Sequence, residues 1–142
     1  MGSFVAGDKA ELLCLLAHRA ASILSADGDF LFDLLMAREQ LGSTATAHGY
    51  ALPHSEWKGL TTFFGMFARL AKPIDFGGLD GRRVDLVFLL LSPPDAGRAH
   101  LAALAAVARR LRGAAIAAQL RGTRDAKKLH EILTAVPEIT AL

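Results

Sequence analysis

The spacing of apolar residues changes character along the chain, and the changes mark its elements. Leu12, Leu13, Leu15, Leu16 and Ile23 recur on one helical face, and Asp8 stands before Glu11 with the spacing of a capping box. This predicts a first helix that ends at about Ser25. "ADGD" interrupts the pattern, and "FLFDLLMAREQLG" resumes it from about Asp29, with Gly42 placed to end the second helix in the left-handed conformation. After "STATAHG" the period shortens. "YALP", "TTFFGMFARL" and "RVDLVFLLL" are apolar or alternating runs of strand length and predict three strands. "KPIDFGGLDGR" joins the last two with turn chemistry, and the prolines of "SPPDAG" stop the third strand.

The remainder returns to a helical period. "RAHLAALAAVARRLR" presents Leu101, Leu104, Ala105, Ala108 and Leu111 as an apolar face that stops at Gly113. "AAIAAQLRG" and "TRDAKKLHEILTAV" predict two further helices, the second capped by Thr123 or Asp125 and ended by Pro137. Neither a repeat nor a linker interrupts the order helix, helix, strands, helices. One layered α/β or α+β domain over residues 1–142 is the expectation.

Composition narrows the function classes. With 52% apolar and 21% charged residues in 142 positions, the chain has enough apolar mass for one sizeable core and is not a disordered polymer. The net charge of +2 is spread over Arg69, Arg82, Arg83, Arg98, Arg109, Arg110, Arg112, Arg121 and Arg124, without the basic stripe and stacking aromatics of a nucleic-acid surface. A basic patch of this size suits an acidic protein partner instead. Cys14, the single cysteine, falls in an apolar helical pattern and reads as a small core residue of a protein in a reducing cytoplasm. No uninterrupted apolar run reaches membrane-spanning length, so no membrane insertion is expected.

The sequence lacks a Walker loop, a dinucleotide fingerprint and a nucleophile elbow, and its carboxylates are scattered. Histidines are the remaining reactive candidates. His18 and His130 fall on predicted helices among charged or small residues, where surface roles account for them. His48, His54 and His100 fall at element ends: His54 closes the first strand, and His100 opens the helix after the third. Ligands collect at strand ends in α/β sheets, so this placement leaves a functional and a structural His54/His100 pair equally open. A zinc site would need Asp95 or Glu56 as further ligands, and neither HExxH nor paired cysteines are present. Neither metal nor cofactor is expected.

Three segments together carry a resemblance. "REQLGSTATAHGYALPH", "PIDFGGLDGRRVDLVFLLLSP" and "HLAALAAVARRLR" resemble the successive signatures of enzyme IIA of the bacterial phosphotransferase system, mannitol/fructose type, and are most similar to its nitrogen-regulatory members. The resemblance implies a mixed β-sheet flanked by helices and a histidine phosphorylated by an HPr-type phosphocarrier. By motif, that histidine matches His54; the family's second active-site histidine matches His100, and the arginine before its "GST" turn matches Arg38. The implied roles are phosphoryl acceptance at His54, a hydrogen bond from His100 to the phosphoryl oxygens, and positive charge from Arg38, with Leu52 and Phe64 limiting water. Arg38 also has a plain reading as a cation at a helix C-terminus, and Ser43 and Thr44 read first as turn residues.

The expected function is regulation of a partner, such as a transporter or sensor kinase, by phosphorylation state. The alternatives are a sugar-specific IIA that passes phosphate to a IIB domain and a IIA-like binding module that is never phosphorylated. Departures from the family pattern motivate the last reading: Ser55 stands where glycine is usual, Glu56 and Trp57 follow in place of a basic residue, and His48 replaces a small residue or Asn. This "SEW" rim is expected to be bulkier and more acidic. The family's N-terminal segment is expected to be missing or truncated, leaving a sheet edge open.

Overall fold

The computed structural model describes residues 3–46, 49–77, 83–112 and 118–119. His48 and Gly113 therefore lie outside the described residues, as do His130 and, apart from residues 118–119, the last two expected helices.

The chain runs β1 (Ser3–Phe4), α1 (Lys9–Leu24), α2 (Gly28–Gln40), β2 (Tyr50–Ala51), β3 (His54–Glu56), β4 (Phe64–Asp75), β5 (Arg83–Ser92) and α3 (Gly97–Arg112). Helix α1 starts as expected. The Glu11 amide donates to Asp8 Oδ1 at 2.8 Å, which satisfies one of the amides that a helix N-terminus leaves unpaired. Its end at Ser25 is in the left-handed region, at φ 55°. Asp8→Ala is expected to lower stability by about 1 kcal/mol in urea denaturation; an unchanged midpoint would contradict this role of the cap.

Helix α2 ends differently from the expectation. Leu41 stays right-handed, and Gly42 has φ 155° rather than the tight left-handed turn. The Arg38 side chain meets this exit: its Nη1–H donates to the Gly42 carbonyl at 2.9 Å, so a guanidinium satisfies an acceptor of the loop.

Five strands form a mixed sheet in the order β1-β4-β5-β2, with β3 also on β5. Strand β5 pairs antiparallel with β4 and parallel with both β2 and β3, while β1 pairs parallel with β4. The expected mixed sheet flanked by helices is therefore present, but two strand assignments change. The strand at "YALP" is broken by Leu52 and Pro53, and His54 opens a separate strand rather than closing the first. Pro53 has no amide to give, yet its carbonyl still accepts from Leu90 N–H at 3.0 Å, so both pieces stay on β5. Strand β4 also continues through Lys72, Pro73, Ile74 and Asp75, which the sequence places in a turn. A register shift between Arg69 and Ile74 absorbs the proline. The expected open edge is partly filled, because Ser3 and Phe4 pair with Arg69 and Leu70.

The central strand separates two cores. Val87, Leu89 and Leu91 of β5 join Leu12, Leu13, Leu16, Leu31 and Leu35 of the two N-terminal helices, whereas Leu86, Phe88 and Leu90 join Ala103, Val107 and Leu111 of α3. A strand buried on both faces reads as an unbroken apolar run, as β5 does. The buried face of α3 is rotated from the expected one. Leu101 is 66% exposed and Ala105 is exposed, while Ala103, Ala106, Val107 and Leu111 are buried. Alanines on every side of this helix give little contrast from which to read a phase. Cys14 is half-buried, short of the core position expected for it.

Candidate active site

The break at Leu52 and Pro53 builds the site. A continuing strand would use the Leu52 carbonyl in its ladder; here it lies 2.7 Å from His54 Nδ1. A carbonyl only accepts, so Nδ1 carries the proton in the neutral ring and Nε2 carries the lone pair. Arg38 supports the same assignment, because its Nε–H donates to His54 Nε2 at 3.2 Å. The guanidinium thus bridges the end of its own helix and the imidazole. Arg38 lies in the last turn of α2, as its plain reading has it, and the same side chain reaches His54.

His100 arrives from the other layer. Asp95 at φ 62° and Gly97 at φ 42° turn the chain from the end of β5 into α3, which places His100 in the first turn of that helix. Its ring centroid is 5.2 Å from that of His54, with the planes tilted by 51°. His54, His100 and Arg38 are thereby brought together, each half-buried. His18 is elsewhere, exposed on α1 with Nε2 3.2 Å from Asp29 Oδ1 at the start of α2. Among the described residues no three His, Cys, Asp or Glu side chains group to hold a metal ion.

Burial is the main cause that lowers the pKa of His54 below its ordinary 6.5, opposed by the Leu52 carbonyl, strengthened by the charge of Arg38 and by His100, and opposed by Glu39. His100 is also lowered, first by burial and then by Arg38, against the pull of Glu56. Both rings are therefore kept neutral, and nucleophilic, closer to acid pH than a free imidazole. Just below pH 6.5 the unfolded chain takes up protons that the folded rings refuse, so stability falls as pH drops through that window and is fully regained above it. Urea denaturation at about pH 7.5 and about pH 5.5 is expected to show the loss at the acid side, with a smaller difference in His54→Asn. Equal pH dependence in the two proteins would overturn this account.

Two contributors, Glu39 and Ser92, have no visible sequence signature. Glu39 is buried at 2% side-chain exposure and pairs with Lys9 Nζ at 2.9 Å. It accepts from the Thr44 amide at 3.2 Å and from the Thr44 hydroxyl, which fixes the loop after α2. The Thr44 carbonyl accepts from Leu52 N–H at 3.1 Å, and the Leu52 carbonyl accepts from His54. A buried carboxylate is thus linked through Thr44 and one peptide to the orientation of the candidate nucleophile. Ser92 contacts His100 Nδ1 and is likewise absent from the sequence reading. Ser43 meets the turn expectation, with Oγ donating to the Phe76 carbonyl at 3.0 Å and accepting from Ala45 N–H at 3.1 Å.

The "SEW" rim is not uniformly intrusive. Ser55 Oγ donates to the neighbouring Glu56 carbonyl at 3.0 Å. Trp57 turns inward against the α1–α2 core, and its indole lies so close to Gly59 that a Cβ there would stand 2.4 Å from the ring. Glu56 alone stays exposed and acts on the site, through its charge on His100. Leu52 and Phe64 do not form a shared screen: Leu52 packs on the α3 side of the sheet and Phe64 in the opposite core.

These features define an α/β domain that offers an imidazole lone pair at a strand break, flanked by a guanidinium and a second imidazole. The family model described as "Phosphoenolpyruvate-dependent sugar phosphotransferase system, EIIA 2" matches residues 4–136, and the chain belongs to that family. It is 47% identical over 133 residues to a nitrogen regulatory protein of Bradyrhizobium diazoefficiens, covering 94% of this chain and 86% of that one. The crystal structure of nitrogen regulatory protein IIA-Ntr from Neisseria meningitidis is similar with a TM-score of 0.87 and 31% identity, covering 93% of this chain and 90% of that one. IIA mannitol from Escherichia coli shares the fold, with a TM-score of 0.76 at 16% identity over 92% of each chain. Among the described residues no helix is long and apolar enough to cross a membrane.

Proposed function

We propose that this chain, as one IIA-type domain acting in the cytoplasm, accepts a phosphoryl group on His54 Nε2 from an HPr-type phosphocarrier and regulates a partner protein by its phosphorylation state. The observation that carries the reading is the combination of a lone pair on His54 Nε2, a proton held on Nδ1 by the Leu52 carbonyl, and the Arg38 guanidinium at Nε2. In the transfer, the Nε2 lone pair forms the new N–P bond as the bond from phosphorus to the donor's histidine nitrogen breaks, and that nitrogen recovers its electron pair. The His54 ring then carries a positive charge with its proton still on Nδ1, where the carbonyl stabilises it. Arg38 has five N–H donors, of which two are engaged in the described contacts, so it can move from Nε2 to the incoming phosphoryl oxygens. His100 lies within reach on the other side. Alignment and charge are the main demands of phosphoryl transfer, and these groups supply both.

The regulatory role is preferred over a sugar-specific one because similarity to nitrogen regulatory proteins extends across 94% of the chain. The test is incubation with a phosphorylated HPr-type donor. Acid-labile, base-stable label on this chain supports the reading, and onward transfer to a IIB domain would move it to the sugar-specific branch. A chain that never labels yet retains a partner protein would instead be a IIA-like binding module.

A further inference from the structure

Ser92 ends β5 with 0% exposure, immediately after the buried Leu89, Leu90 and Leu91. Its backbone is fixed, because Trp57 N–H donates to its carbonyl at 2.9 Å and Glu56 lies opposite it in the sheet. A hydroxyl buried without a hydrogen bond is costly, so its partner matters. Among the described residues that partner is Nδ1 of His100. The serine O–H has one proton to donate, and donation to Nδ1 requires a lone pair there, which puts the proton of neutral His100 on Nε2. In the reverse arrangement, with Nδ1–H donating to Oγ, the serine proton would have no acceptor among the described groups.

We infer that Ser92 is a positioning residue: its buried hydroxyl sets the tautomer and ring orientation of His100, leaving Nε2–H as the donor of a ring whose centroid is 5.2 Å from that of His54. The use of that donor, stabilising a phosphoryl group, rests on the reading of His54 given above; the tautomer does not. The two rings are then chemically complementary, since His54 is held as an acceptor at Nε2 by a backbone carbonyl and His100 as a donor at Nε2 by a side-chain hydroxyl. With the opposite tautomer, Nε2 of His100 would present a lone pair in place of a donor and repel the phosphoryl oxygens.

Long-range ¹H–¹⁵N correlation spectra of the ¹⁵N-labelled protein, recorded where the rings are neutral, test the assignment directly. Wild-type His100 is expected to be protonated at Nε2 and not at Nδ1; Ser92→Ala should shift it toward a mixture, and Ser92→Thr, which keeps the hydroxyl, should restore the wild-type pattern. After labelling, phosphohistidine lifetime in Ser92→Ala is expected to be about fivefold to tenfold shorter, with Ser92→Thr near wild type. A wild-type His100 protonated at Nδ1, or an unchanged tautomer and lifetime in Ser92→Ala, would overturn the inference. If either variant fails to fold, the wild-type spectrum decides alone. Nε2-protonated His100 in a chain that never labels would uphold the tautomer assignment and sink the phosphoryl-acceptor reading.

Discussion

His54→Ala is expected to take up no acid-labile, base-stable label from a phosphorylated HPr-type donor, whereas His100→Ala still labels but about 10²-fold more slowly. The asymmetry follows from what each ring contributes. Removing His54 deletes the atom proposed to bond phosphorus, and no other described imidazole replaces it: Nδ1 of His100 is held by Ser92, and His18 sits in α1 beside Asp29. Removing His100 leaves the Nε2 lone pair, the Leu52 carbonyl and the Arg38 guanidinium in place, so loss of one oxygen-binding donor is what the rate reports. Label retained on His54→Ala would remove the assignment. Equal loss in both variants would mean that the rings act as one unit.

Glu39→Ala is expected to destabilise the fold by about 3 kcal/mol, measured as the change in urea-unfolding free energy. Two losses combine. Lys9 keeps its ammonium at 24% exposure without its carboxylate, and the amide and hydroxyl of buried Thr44 lose their acceptor. Glu39→Gln keeps an acceptor for Thr44 and removes only the charge, so its cost should be about half as large. Glu39 is also one of the groups that resists the lowering of His54, so without it His54 should titrate at still lower pH. Both changes are measurable on one protein, by denaturation and by NMR titration. A stable Glu39→Ala with unchanged His54 titration would overturn both the structural role of Glu39 and the action of its charge on His54.

Much of the scaffold is legible in the chain because burial imposes a period on it. Helix α1 and strand β5 have strong patterns, in one case a capped 3.6-residue repeat and in the other an apolar run buried on both faces. The breaks were harder. Pro53 hides a second strand because a residue without an amide looks like an end, although its carbonyl continues the pairing. Pro73 hides the far half of β4 for the same reason, since only the partner strand shows that a register shift carries it through. The trio of His54, His100 and Arg38 is legible only through motif resemblance; placement at element ends alone leaves the two histidines undecided. Glu39 and Ser92 were not legible at all. Each is a polar residue inside an apolar pattern whose purpose depends on a partner elsewhere in the chain, Thr44 and Lys9 for one and His100 for the other.

The division of the interior by β5 has a mechanical consequence. Arg38 comes from the end of a helix seated on one face of the sheet, and His100 from the start of a helix seated on the other. The gap between them is therefore a gauge of how the two helical layers sit relative to one another. A small slide of either layer, whether from a methyl group removed at Leu35 or Val107 or from a protein pressing on one outer face, would be transmitted to the place where the guanidinium and the second imidazole converge. His54, on β3, stands on the sheet that separates the two layers.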